Sequence, residues 1–130
     1  RLEKGHVIIG SESEQRTTLH DVGLGFLWHR DKPWARTVGD AALRQTEHQP
    51  GRLKLVGFRM ADPSASPPRD GSVIVDRRIR GYVCTARYSV VLKEPVGLAL
   101  LLTLLDQHLA QPVEGHLDPV GEGRPLAKVS

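Results

Sequence analysis

Six histidines and one cysteine are the residues in this sequence best suited to metal binding or nucleophilic chemistry. The histidines are His6, His20, His29, His48, His108 and His116. No two of them have the four-residue spacing that places two zinc ligands on one face of a helix. His116 and Asp118 could share one face of a predicted strand, but such pairs are more common as ordinary surface residues. The sequence therefore predicts no metal site.

Cys84 is the single cysteine of the chain. It would act as a nucleophile only beside a base and with a lowered thiol pKa. Its position between Val83 and Thr85, in the middle of a predicted strand, favours a small buried hydrophobic residue instead. A lone cysteine also excludes an internal disulfide framework. No secretory signal pattern is present at the start of the sequence, so the cytoplasm is the expected location.

The glycine and arginine patterns argue against phosphate and nucleic-acid binding. The pair Gly23 and Gly25 is too short to form a phosphate-binding loop. The densest basic cluster is Arg77, Arg78 and Arg80, in a chain whose net charge is only +3. Nucleic-acid binding usually requires a longer basic stripe interleaved with aromatic residues. We interpret this cluster as a solvated hairpin turn and expect no nucleic-acid partner.

Arg1 and Glu3 are charged residues two positions apart, so on a strand they would share one face. Two interpretations of that arrangement remain open. The pair could orient an anionic ligand, or it could form an ion pair that tethers two domains. The chain opens without an initiator methionine, which suggests that it is part of a longer polypeptide.

The 130 residues suit one ordinary domain, with 39% hydrophobic residues and 25% charged residues. The longest apolar run, residues 96–102, is too short to cross a membrane, so no membrane partner is expected. A helix is predicted at residues 39–47, and residues 11–18 are predicted to be an exposed loop. Short strands are predicted at residues 6–9, 24–28, 53–60, 72–76, 79–89, 96–102, 113–117 and 126–129. About six of these follow residue 51, which favours a mainly β (α+β) fold with a small antiparallel barrel or sandwich.

Several short phrases occur in an order that resembles the tetrahydrofolate-dependent aminomethyltransferase family. That family includes the glycine cleavage T-protein and the C-terminal half of the sarcosine oxidase alpha subunit. In chain order the phrases are RLEKG at 1–5, TT at 17–18, DVGLGF at 21–26, KP at 32–33, VGDAAL at 38–43, RLKLVGF at 52–58, GYVCTARYS at 81–89 and GLAL at 97–100. The opening phrase and the sequence RYS at 87–89 look closer to the sarcosine oxidase alpha subunit than to the T-protein.

The resemblance implies a division of the chain near residue 51. Residues 1–51 would end the folate-binding domain as an arm with a short helix, and residues 52–130 would form a six-stranded antiparallel barrel. It also implies that the chain helps to enclose a tetrahydrofolate channel, with Arg1, Glu3, Arg87 and Tyr88 as cofactor-binding residues. The family's catalytic aspartate belongs to the region before Arg1, so we expect no catalytic residue in this segment and no turnover by the segment alone.

The resemblance also sets the expected partners and cofactors. The partner would be the remainder of the same polypeptide, together with other oxidase subunits if the parent is a sarcosine oxidase. Flavin or NAD would enter only through those other domains or subunits. The sequence departs from the family at residues 85–90, where TARYSV replaces the usual TSG and YSP phrases. That departure motivates the alternative of a β-barrel interaction domain that has lost folate binding.

Overall fold

The computed structural model describes residues 1–29, 31, 38–102 and 127–129. Within these ranges the chain forms one α-helix, two short 3-10 turns and five strands. The helix α1 is Asp40–Thr46, and the 3-10 turns are Leu2–Lys4 and Gly25–Leu27. The strands are β1 at Leu53–Met60, β2 at Val73–Asp76, β3 at Arg78–Ser89, β4 at Glu94–Leu102 and β5 at Ala127–Val129. The mainly β prediction is confirmed.

The five strands form one sheet in the order β2-β3-β4-β1-β5. The first three pairings in that order are antiparallel, and β5 runs parallel to β1. The prediction of a wholly antiparallel sheet was therefore wrong for the pair β1 and β5. Parallel neighbours need a long crossover between them, and residues 103–126 connect β4 to β5. The strand predicted at 113–117 lies outside the described residues, and so does the short helix expected near 104–110.

The sheet has a hydrophobic layer on each face. Leu55, Leu98 and Leu100 pack on one face with Leu2 and Val22, which come from the N-terminal segment. Val56, Phe58, Val83, Ala86, Ala99 and Leu101 pack on the other face. Successive strand residues point to opposite faces, so a strand that is buried on both sides must be apolar throughout. That requirement explains the continuous apolar run of β4.

The N-terminal third has less regular structure than the sequence predicted. Residues 6–9 contribute only an isolated bridge from Ile9 to Ser13, and Ile9 is 93% exposed. The phrase around Gly25–Leu27 forms a 3-10 turn rather than a strand. The prediction of an exposed loop at 11–18 was wrong for Glu12, whose carboxylate is completely buried. A local apolar pattern cannot make a strand where no neighbouring strand offers its hydrogen bonds.

The turn between β2 and β3 confirms the interpretation of the arginine cluster. Arg77 occupies the turn with a φ of 56°, in the left-handed region. Arg80 donates to Asp76 across the hairpin at 3.1 Å, and Arg77 and Arg78 are exposed. Among the described residues no helix is long and apolar enough to span a membrane.

Candidate functional site

A pocket of about 370 Å³ lies where the Leu2–Lys4 turn meets the ends of β3 and β4. It is lined by Arg1, Leu2, Glu3, Thr85, Arg87, Tyr88, Ser89 and Val96. The turn packs against both strands, so residues far apart in sequence meet here. All four residues predicted to bind a cofactor line this single pocket.

Arg1 is held by a buried carboxylate on the N-terminal segment. Its Nη1 and Nη2 donate to the two Glu12 carboxylate oxygens at 3.0 and 3.1 Å, and Nη1 also donates to the His6 carbonyl at 2.8 Å. Glu12 accepts two further hydrogen bonds, from the Ile8 amide and the Ser11 hydroxyl. A bidentate pair with a buried carboxylate fixes the guanidinium in one orientation. Arg1 therefore fixes the geometry of this part of the pocket.

Glu3 does not pair with Arg1, because Leu2–Lys4 is a 3-10 turn and not a strand. Its Oε1 accepts a hydrogen bond from the Ser89 hydroxyl at the end of β3. The Ser89 oxygen in turn accepts the Leu92 amide at 3.0 Å, which caps the β3–β4 turn. Sequence analysis missed Ser89, although a hydroxyl at a strand end, next to a predicted site residue, is a signal of such a cap.

Arg87 and Tyr88 project from β3 at the solvent-facing side of the pocket. Arg87 donates to the two Asp70 carboxylate oxygens at 3.0 and 3.3 Å, and this ion pair is largely exposed. The hydrogen bond from Arg87 lowers the pKa of Asp70, and the same bond raises the pKa of Arg87. Tyr88 is 52% exposed. Arg87 Nη1 also donates to the Ala86 carbonyl at 2.6 Å. Exposed ion pairs are weakly held, so a ligand could compete with Asp70 for the Arg87 guanidinium.

These side chains are suited to recognition rather than to bond breaking. Carboxylate, guanidinium and hydroxyl groups can orient a polar ligand, and Leu2 and Val96 supply apolar walls. Cys84, the one thiol of the chain, does not line the pocket and belongs to the hydrophobic core on one sheet face. Among the residues that the structure covers, no group of three or more potential ligands could hold a metal ion.

Cys84 is predicted to be chemically inert in the folded protein. Its thiol is buried, and burial raises its pKa to about 12. Because the thiolate is the reactive form, we expect a thiol reagent such as DTNB to leave the native protein unmodified at neutral pH and to titrate one thiol in denaturant. Rapid labelling without denaturant would contradict this assignment.

Comparisons with known proteins agree with the fold of residues 53–102. Residues 54–118, which make up half of the chain, match the glycine cleavage T-protein C-terminal barrel domain. The chain is 33% identical over 122 residues to an aminomethyltransferase of Synechococcus sp. (strain CC9311), an alignment that covers 92% of this chain and 32% of that relative.

A second relative is similar over almost the full length of the chain. The chain is 34% identical over 130 residues to an aminomethyltransferase of Caldanaerobacter subterraneus subsp. tengcongensis, with 99% of this chain and 32% of the relative covered. The chain thus spans about a third of the length of these curated relatives. Both the domain match and these relatives extend over β3, the strand that carries Arg87 and Tyr88. The chain therefore belongs to the glycine cleavage T-protein family and contains its C-terminal barrel domain.

Proposed function

We propose that this chain is the C-terminal part of a folate-dependent one-carbon transfer enzyme and that its pocket forms part of the wall of a tetrahydrofolate channel. The observation that carries the proposal is the convergence of Arg1, Glu3, Arg87 and Tyr88 on one pocket, in a chain of this family. The relatives it matches carry the name aminomethyltransferase, which supports this class of chemistry.

The four residues would contribute in different ways. Arg87, whose side chain is 66% exposed, would meet the anionic glutamate tail of the folate. Tyr88 would offer a flat wall to an aromatic ring of the cofactor. Glu3 would accept N–H groups, and Arg1, already bound to Glu12, would hold the Leu2–Lys4 turn in place.

The proposal also includes the rest of the polypeptide and its partner subunits. The remainder of a longer polypeptide would supply the reactive groups, and a parent of the sarcosine oxidase alpha type would add other oxidase subunits that carry flavin or NAD. Residues 1–51 would end the folate-binding domain, and residues 52–130 would close as a six-stranded barrel. The unpaired side of β2 in the described sheet is a free edge at which closure could occur. A cytoplasmic location, expected from the sequence, is part of the same proposal.

A second candidate is an interaction domain that keeps the fold without binding folate. The observation that favours it is the ion pair between Arg87 and Asp70, which occupies the guanidinium in the absence of ligand. In this alternative Arg87 would serve only to join β3 to the loop before β2.

Titration with tetrahydrofolate distinguishes the two functions. We expect saturable binding to a polypeptide of full aminomethyltransferase length that contains this chain. Arg87→Gln should weaken binding about tenfold or more, because a charge-assisted hydrogen bond to the ligand is lost. Arg78→Gln is the matched control, since Arg78 is exposed on β3 and does not line the pocket. Absence of saturable binding would favour the interaction domain.

A further inference from the structure

The turn between β3 and β4 is apolar, although turns on a protein surface are usually polar. Four of the five residues from 88 to 92 carry large hydrophobic side chains: Tyr88, Val90, Val91 and Leu92. Val90 and Val91 are 82% and 78% exposed, and Tyr88 and Leu92 are exposed as well. Single exposed hydrophobic side chains are common, but a contiguous group of them marks an interaction surface. We call residues 88–92 the β3–β4 tip.

The β3–β4 tip is held in one conformation, so its exposure does not come from fraying. The Leu92 amide donates to the Ser89 hydroxyl oxygen at 3.0 Å and closes the turn. Lys93, which follows the tip, has a φ of 57°, a left-handed conformation that a residue other than glycine keeps only where its surroundings impose it. The next residue, Glu94, is buried and accepts a hydrogen bond from Arg59 of β1 at 3.1 Å. The fold therefore keeps this apolar turn in water at a fixed position.

We infer that the β3–β4 tip docks into an apolar recess on the part of the polypeptide that precedes this chain in the longer enzyme. This inference rests on the proposed function, because it requires that longer polypeptide. The chain covers 32% of each of the two relatives described above, so most of a polypeptide of that type lies outside it. The domain that this chain matches is the C-terminal one, which leaves the preceding part as the occupant.

The route of the chain brings that preceding part close to the tip. Arg1 lines the same pocket as Tyr88, and Glu3 is hydrogen-bonded to Ser89 within the tip. Residues before Arg1 would therefore emerge beside the tip. A covalently linked segment has a high effective concentration, so a small apolar surface is enough to bind it. A separate protein would need roughly 800 Å² on each partner, which four side chains do not supply.

The test measures thiol labelling at the tip in a polypeptide of full aminomethyltransferase length that contains this chain. Val91→Cys places a thiol on the tip, and Val75→Cys, at an exposed valine of β2 outside the pocket, is the matched control. Cys84 is buried, and the unaltered polypeptide gives the background of any other cysteine. We expect DTNB to modify Val91→Cys at least about tenfold more slowly than Val75→Cys, because a docked thiol reacts only when the contact opens. The two rates should become equal in urea. A Val91→Cys thiol that reacts as fast as the control in the folded polypeptide would overturn the inference.

Val91→Asp provides a second measurement that needs no labelling. A carboxylate at this position stays in water in the 130-residue chain, so its Tm should not change. In the longer polypeptide the same carboxylate would enter the apolar recess, and we expect the Tm to fall by several degrees. A shift no larger in the longer polypeptide than in the 130-residue chain would argue against docking.

Folate binding and docking can fail separately. Slow labelling of Val91→Cys without saturable tetrahydrofolate binding would support docking and remove the folate function. Saturable tetrahydrofolate binding with fast labelling would support the folate function and remove docking.

Discussion

Gly81→Ala is expected to prevent folding or to lower the free energy of unfolding by at least about 3 kcal/mol. Gly81 lies in β3, where it pairs with Ile74 of β2 and Leu101 of β4. A Cβ at this position would lie 1.9 Å from the Leu100 carbonyl oxygen and 2.9 Å from its carbonyl carbon. These are backbone atoms of the most buried strand, so the clash cannot be relieved by a side-chain rotation. The variant must separate β3 from β4.

The matched control for this substitution is Gly39→Ala. Gly39 precedes α1, and a Cβ there would meet no atom of the described residues within 4 Å. Neither glycine has a positive φ, so the two variants differ in steric clash and not in backbone strain. Urea unfolding followed by far-UV circular dichroism measures both. Equal stability of Gly81→Ala and the unaltered chain would show that the β3–β4 spacing seen here is incorrect.

The strands with a strong apolar pattern were predictable from the sequence because each of them pairs with another such strand in the sheet. The predicted strands at 53–60, 79–89 and 96–102 correspond to β1, β3 and β4, which form the centre of the sheet. The predicted helix at 39–47 corresponds to α1. The apolar phrases at 6–9 and 24–28 were equally strand-like, but there the structure provides no continuous partner strand. Strand propensity describes a residue's fit to an existing sheet rather than an independent backbone preference.

The site was predictable only through family resemblance. The strand pattern could place Arg87 and Tyr88 on the same strand, β3, but it could not show that they line one pocket or that Arg1 and Glu3 reach it. That contact depends on the packing of Leu2 in the core beneath the pocket. The polar residues that organise the N-terminal segment, Glu12 and Asp21, were missed because sequence patterns treat carboxylates as surface groups. Each is buried because several donors converge on it. The donors to Glu12 lie in the same N-terminal segment, whereas Arg52 and Lys54 reach Asp21 from more than 30 residues away.

Asp21 joins the N-terminal segment to the first strand of the sheet. Its carboxylate accepts hydrogen bonds from the Thr18 amide and hydroxyl, both at 2.9 Å, and from Lys54 Nζ at 3.0 Å. Arg52 donates to both oxygens of the same carboxylate. The Asp21 carbonyl also accepts the Leu55 amide at 2.7 Å, and the next residue, Val22, packs in the core. One buried carboxylate thus compensates two cations at the start of β1.

Asp21→Asn is therefore expected to lower the free energy of unfolding at neutral pH by about 3–5 kcal/mol, the cost of removing one partner from a buried ion pair. The variant keeps the side-chain volume but leaves Arg52 and Lys54 without a counter-charge. Asp76→Asn is the control, because it breaks an ion pair with Arg80 that is more exposed. An exposed pair should cost about 1 kcal/mol or less. Urea unfolding at neutral pH measures the difference, and similar losses in the two variants would contradict the role assigned to Asp21.

The same carboxylate predicts how stability depends on pH. Burial alone would raise the pKa of Asp21, but hydrogen bonds from Arg52, Thr18 and Lys54 outweigh burial and hold the pKa far below its usual range. A carboxyl whose pKa is lower in the folded state stabilises the fold fully above its unfolded pKa of about 3.9. That contribution is lost progressively as the pH falls from there toward the folded pKa. The stability difference between the unaltered chain and Asp21→Asn should therefore be constant from about pH 7 to pH 5 and should shrink below about pH 4. A stability difference that grew as the pH fell would contradict the lowered pKa of Asp21.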